Sequence, residues 1–144
     1  RDVLGSRGLG DVYKRQLYAC SREIIKRYTP FLEKIDLTYT QYIAMMVLWE
    51  KKQISVKELG KCLFLDSGTL TPLLKKLEQK GYVTRTRSEE DERVLIAAIT
   101  PKGEDLKDEA VLIPQKMMAC AALPQEKAAQ LYTLLYELLN TLEK

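Results

Sequence analysis

Between Ser55 and Thr100 the chain carries two short capped helical runs and then, at once, two strand-like runs, an order that few folds accommodate. Ser55-Val56-Lys57-Glu58 fits a capping box, in which the hydroxyl takes the amide three residues on and the carboxylate reaches back to the serine amide. It starts a short helix to about Leu63. Asp66 is placed as N-cap of a second helix, Ser67 to Lys80, and Gly81 stands where a C′ glycine ends one. Tyr82 to Arg87 and Arg93 to Ile99 then read as strands around the polar tip Ser88-Glu89-Glu90-Asp91-Glu92. A compact helix-turn-helix followed directly by a hairpin predicts a winged helix, residues 53–100, in a chain that is mainly α with a small β-hairpin.

Helices flank this unit. Leu17 to Lys34 repeats Tyr18, Ile24, Ile25, Tyr28, Phe31, Leu32 and Ile35 at three- and four-residue steps, with Pro30 expected to kink the helix or mark a restart. Thr38 and Gln41 form a capping box for the next helix, which is expected to send Tyr42, Met45, Met46 and Trp49 into a core. Thr100 as N-cap and Pro101 at N1 open another, with Glu104 and Asp105 in its first turn, expected to run to about Ala119 with a bend at Pro114. Pro124 begins the last, where Leu131, Leu134, Leu135, Leu138, Leu139 and Leu142 keep one helical face. Residues 1–16 differ: they hold three glycines and no apolar period, and there is no initiator Met, so this stretch is expected to be foreign to the fold or disordered.

The second helix of a helix-turn-helix enters the major groove of DNA with its first residues at the base edges. Here those residues include Ser67, Thr69, Thr71 and Pro72, short side chains that hold nothing away from a base or phosphate. Free amides and the positive dipole end at such a terminus suit a phosphate. Lys75 and Lys76 are placed to anchor the backbone, while Leu70, Leu73, Leu74 and Leu77 face inward. The hairpin supplies Arg85, Arg87 and Arg93, and an arginine at a wing tip fits a narrow minor groove. Asp91, two residues before Arg93, is placed to orient that guanidinium in a bidentate pair. Isolated surface charges are more often merely solvated, above all lysines, so it is the context of Arg93 that carries this reading.

Composition narrows the function classes. With no histidine, His-based catalysis and most catalytic zinc sites are excluded. Three scattered cysteines build neither a disulfide framework nor a zinc site, and no cofactor or metal is expected. No apolar run approaches the ~20 residues of a membrane span, so a cytoplasmic location with no membrane partner is expected. Net charge is only +3, so the position of the charges matters more than their sum.

LDSGTLTPLLKKLEQKGYVTRTRSEEDERVLIAAIT closely resembles the recognition helix and wing of MarR-type repressors, with their Asp-x-Arg wing signature at Asp91 and Arg93. YACSREIIKRYTPFLEKIDLTYTQYIAMMVLWE is similar to the organic-hydroperoxide-resistance (OhrR) branch. The resemblance covers Leu17 to about Leu142. It implies a MarR-like α/β homodimer spanning residues 17–144, with dimerisation helices in 17–34 and 101–144, bound to a pseudo-palindromic DNA operator. It further implies repression released when organic hydroperoxide oxidises a cysteine near the start of the first helix. Tyrosines from the two subunits hydrogen-bond that cysteine, and Tyr18, Tyr28 and Tyr39 fall at their positions. The sensing position itself, four residues before Tyr18, holds Lys14.

Cys20 is read either as a substitute sensor or, preferably, as a small, partly buried packing residue, since free cysteines are usually buried. Cys62 is expected to pack in the core beside Leu59 and Leu63. Cys120 lies in the segment where two-cysteine members of the branch carry a resolving cysteine, about one residue out of register. Three rival functions are a MarR-type repressor answering a small phenolic or aromatic ligand, a thiol peroxidase, and a winged helix used only to bind protein. The peroxidase lacks a CxxC and a His or Arg beside any cysteine. The protein-binding module would tend to lose the wing arginine and the hydroxyl-rich helix start that this chain keeps.

Overall fold

The computed structural model describes the backbone of residues 5–120 and 123–142 and the side chains of residues 12–117 and 123–142. In chain order the elements are α1 (Gly5–Glu33), α2 (Tyr39–Lys51), β1 (Gln53–Ser55), α3 (Val56–Leu63), α4 (Ser67–Gln79), β2 (Val83–Arg87), β3 (Leu95–Ile99), α5 (Pro101–Ala110), α6 (Ile113–Cys120) and α7 (Gln125–Leu142). Contacts divide the chain into two units, residues 1–113 and 114–144.

The first unit is built on α2 and the winged helix. Thr38 caps α2 with the full reciprocal box: Gln41 N donates to Thr38 Oγ1 at 3.3 Å and Thr38 N to Gln41 Oε1 at 3.1 Å. Tyr42, Met45, Leu48 and Trp49 of α2 are buried, and they meet Leu59 of α3 and Leu70, Leu73, Leu74 and Leu77 of α4 in the core. Each leucine fully removed from water contributes roughly 1.5–3 kcal/mol. The Trp49 indole donates to Gly103 O at 2.8 Å and so ties α2 to the first turn of α5. Thr100 caps α5, with Pro101 following, as its sequence requires.

The sheet has three strands in the order β1-β3-β2, both pairings antiparallel. Strand β1 was not expected. Gln53-Ile54-Ser55 is too short to show an alternation of its own, and it exists because Ile54 pairs with Ala97 on the open edge of β3. The strands of the hairpin are shorter than the apolar runs suggested. Tyr82 and the Arg93–Val94 pair lie outside them, although Ser88 N still reaches Val94 O at 2.8 Å.

Other expectations are corrected. Helix α1 does not start at Leu17 but runs back to Gly5; Arg1 to Leu4 lie outside the described residues. Residues 13–16 are exposed, and a helix exposed all round needs no apolar period, so the missing period was not a boundary. Pro30 sits inside α1, neither its end nor a restart. It and Lys26, whose carbonyl loses a donor, are both exposed, so that carbonyl is open to solvent. The helix beginning at Pro101 ends at Ala110, and the break falls before Pro114, which becomes the second residue of α6. Met46 is 47% exposed, lying at the rim beside the buried Met45.

Candidate nucleic-acid interface

The turn between α3 and α4 is made by close approach. Leu65 N donates to Gly60 O at 3.0 Å, and Phe64 ends α3 with φ of 56°. A Cβ on Gly60 would stand 2.9 Å from Leu65 O, so the tight turn needs glycine there. Asp66 then caps α4, its Oδ1 accepting from Thr69 N at 2.8 Å. Hydrogen bonds from the Thr69 amide and hydroxyl hold the Asp66 carboxyl below its ordinary value. With the leucine face of α4 buried, Ser67, Thr69, Thr71, Pro72, Lys75 and Lys76 are all left exposed. One cavity of about 260 Å³ flanks this helix, lined by Thr38, by Thr40 and Gln41 of α2 and by Thr69, Pro72, Leu73 and Lys76 of α4. It falls below the ~300–1,000 Å³ of small-molecule pockets, so it reads as a cleft beside α4.

The wing carries its arginines in two different states. Arg93 donates to Asp91 through Nε at 3.1 Å and Nη2 at 3.2 Å, and its backbone amide adds a third bond at 3.0 Å. Its side chain stays 90% exposed, so the guanidinium is oriented and also accessible. The pair holds the Asp91 carboxyl below its ordinary range. Arg87 is exposed at the end of β2. Arg85, which the sequence grouped with these two, is turned inward: Nη2 donates to Glu78 Oε1 at 3.0 Å, and its side chain is only 20% exposed. It is therefore a link within the protein in this structure, not a free surface cation.

Tyr28 and Tyr39 are brought together, ring centroids 5.2 Å apart and edge to face. Tyr42 joins them at 5.7 Å and 6.5 Å and meets Trp49 at 6.3 Å. Burial raises all three phenols, so they remain neutral donors at ordinary pH. Tyr18 stands apart, about 15 Å back along α1 from Tyr28. It is 66% exposed, and its hydroxyl accepts from Arg22 Nη1 at 3.3 Å. Lys14 lies one turn before Tyr18 on the same helix face. Cys20 is exposed, not partly buried, and Cys62 is exposed, not core. Leu59 and Leu63 lie about 40° apart around α3, whereas Cys62 lies about 60° to the other side of Leu59, on the rim. The Cys120 side chain lies outside those described.

The family model for the SarA/Rot transcriptional regulators matches residues 26–110. The organic hydroperoxide resistance transcriptional regulator of Bacillus subtilis strain 168 is 48% identical over 128 residues, 89% of this chain and 87% of that protein. This chain belongs to the MarR-type regulators of that branch. The regulator also superimposes on solved relatives. One is reduced AbfR bound to DNA, with TM-score 0.80 and 31% identity over 94% of this chain and 95% of that one. Another is AbfR of Staphylococcus epidermidis, with TM-score 0.79 and 33% identity over the whole of both.

Two residues of this regulator were missed by sequence reasoning, and a third was read only in part. Glu78 takes both the Arg85 side chain and, through Oε2 at 3.2 Å, the Arg85 amide. Lys80, at the end of α4, donates to Gln41 Oε1 at 3.0 Å and to Asp36 O, fastening α4 to the turn between α1 and α2. Gln41 thus serves a cap and a tertiary contact with one oxygen, which explains why a polar side chain is 4% exposed. The sequence signalled only its cap.

Among the described residues no cluster of His, Cys, Asp or Glu could hold a metal, and no helix is long and apolar enough to cross a membrane.

Proposed function

We propose that this regulator is a cytoplasmic, homodimeric, non-catalytic repressor that reads a pseudo-palindromic double-stranded DNA operator. Helix α4 lies in the major groove with Ser67, Thr69, Thr71 and Pro72 at its leading end, and Lys75 and Lys76 hold phosphates. Arg93, aimed by Asp91, enters the minor groove, and Arg87 follows the backbone. The observation that carries this is the Asp91–Arg93 fork, which orients a guanidinium while leaving it 90% exposed. An ordinary surface ion pair gains little stability, so a rigid exposed arginine at a wing tip is best explained by a ligand outside the protein. The similarity to a DNA-bound AbfR supports the same reading. The test is operator binding by Arg93→Ala, expected to weaken by more than tenfold, within the ~1–3 kcal/mol of one base or groove contact. Unchanged affinity would refute the wing assignment.

Organic hydroperoxide is the effector we infer for the branch, and this chain departs from it at the sensing position. In the branch a cysteine thiolate attacks the terminal peroxide oxygen, leaving a sulfenic acid and an alcohol, and the operator is released. Here Lys14 stands at that position, one turn before Tyr18, and brings no thiol. Cumene hydroperoxide is therefore expected to leave this chain on DNA, and Lys14→Cys to restore release. Release from the unaltered chain would instead promote Cys20 or Cys120 to sensor. A small phenolic effector is not favoured: a regulator solved with 4-hydroxyphenylacetate is similar at 25% identity, against 48% for the organic hydroperoxide regulator and 31% for the regulator solved in its reduced form.

A further inference from the structure

We propose that Arg85 and Glu78 form a positioning lock that fixes the wing at one pitch against the recognition helix, so that α4 and Arg93 reach their two grooves together. The proposal rests on the DNA reading given above. Along β2, alternate residues share a face: Val83 is buried in the core, Arg85 lies against Glu78, and Arg87 is exposed. On β2, Arg85 is thus the residue nearest the free tip that is bonded to α4, while β3 is held to β1 by the pairing of Ile96, opposite Thr86, with Ser55. The contact is made twice by one carboxylate, Oε1 to the guanidinium at 3.0 Å and Oε2 to the Arg85 amide at 3.2 Å. A side-chain pair alone fixes a rotamer; a carboxylate that also holds the backbone amide fixes the strand.

Two further observations favour positioning over stabilisation. Arg85 Nε is buried without an acceptor, and an orphan donor costs stability that an apolar residue of similar size would not. Glu78 also places a negative charge on the helix that approaches DNA, where an acid opposes phosphate. An acid in that position opposes DNA binding unless what it holds offsets that cost. Arg85 in turn holds the Glu78 carboxyl below its ordinary value, so the lock stays charged at any pH at which DNA binding is measured.

The experiment uses the full chain and a duplex that it selects from a randomised pool. Salt-dependent affinity is measured for the unaltered chain, Glu78→Gln, Arg93→Ala, the double variant Glu78→Gln/Arg93→Ala, and the charge swap Glu78→Arg/Arg85→Glu beside Arg85→Glu alone. Removing an acid should by electrostatics tighten binding. The lock predicts the opposite: Glu78→Gln weakens binding about tenfold, the low end of one groove contact. Arg93→Ala then adds almost nothing in the Glu78→Gln background, a coupling that a loss of fold stability would not produce. The charge swap regains affinity lost in Arg85→Glu.

Three outcomes overturn the proposal. Unchanged or tighter binding by Glu78→Gln, with a salt slope shallower by about one in Arg85→Glu that the swap does not correct, makes Arg85 a phosphate contact. Additive effects of Glu78→Gln and Arg93→Ala make the pair merely structural. No effect of Arg93→Ala in the unaltered chain removes the wing reading itself, and the lock with it, and is distinguishable because it does not involve Glu78.

Discussion

At the scale of single residues, the edge proposed to face DNA is held by carboxylates that accept hydrogen bonds in their charged form. Asp66 caps α4 and Asp91 aims Arg93, and both are held below their ordinary value of 3.8. A carboxyl whose value is lower in the folded chain stabilises it fully above its unfolded value, and that stability is lost as pH falls through the folded value. Asp66→Ala should therefore melt below the unaltered chain at neutral pH, and the gap should close as pH drops below 3.8. Thermal melts across that range check this; a gap independent of pH would mean that the cap does not act through its charge. The cap, the leucine face and the Asp91–Arg93 fork were legible in the sequence because each depends on residues two to four apart. Arg85 was not. Its partner lies on another element, and only the turn at Gly81 decides that β2 returns beside Glu78. The same reason hid Lys80 and the joining of Tyr42 to Tyr28.

At the scale of elements, the ends of helices were legible where chemistry marks them and obscure where it does not. Thr38, Ser55, Asp66 and Thr100 all cap as read, although Ser55 accepts from Glu58 N while Glu58 turns to Lys61 instead of closing the box. The start of α1, the break before α6 and the whole of β1 carry no such mark. They follow from exposure or from an open strand edge, which a local pattern does not record. The joint between wing and α5 offers a sharp test. A Cβ on Gly103 would stand 2.8 Å from Ile99 Cγ1 and meet the Tyr82 carbonyl more closely still. Gly103 O also accepts the Trp49 indole, so α5 is poorly placed to retreat. Gly103→Ala should cost ~1–3 kcal/mol, the range for overpacking a filled site. Thr100→Ala should cost about 1 kcal/mol as a lost cap. Urea denaturation with unchanged slope would register both as losses of stability.

At the scale of the molecule, α7 poses the remaining question. Its leucines follow the spacing of a buried stripe, yet none of its residues is buried in the single chain; Leu131 is 43%, Leu134 60% and Leu142 68% exposed. A stripe of this width is costly to leave in water, and the homodimer proposed here supplies a second copy to cover it. In the proposed dimer the row is also what would make the two recognition helices act on one operator. Two half-sites engaged by one dimer gain ~10²–10⁴ over a single half-site without any new contact to DNA. Leu134→Lys, within the row, should shift the sedimenting species from dimer toward monomer and weaken operator binding by at least tenfold, a loss of part of that gain. Asn140→Lys, about opposite the row, adds the same charge and should do neither. Binding by Leu134→Lys should also rise more steeply with protein concentration, because dimerisation and DNA binding become one coupled step. If Leu134→Lys stays dimeric and binds as the unaltered chain does, the leucine row is covered by something other than a second copy, and the dimer must be built elsewhere.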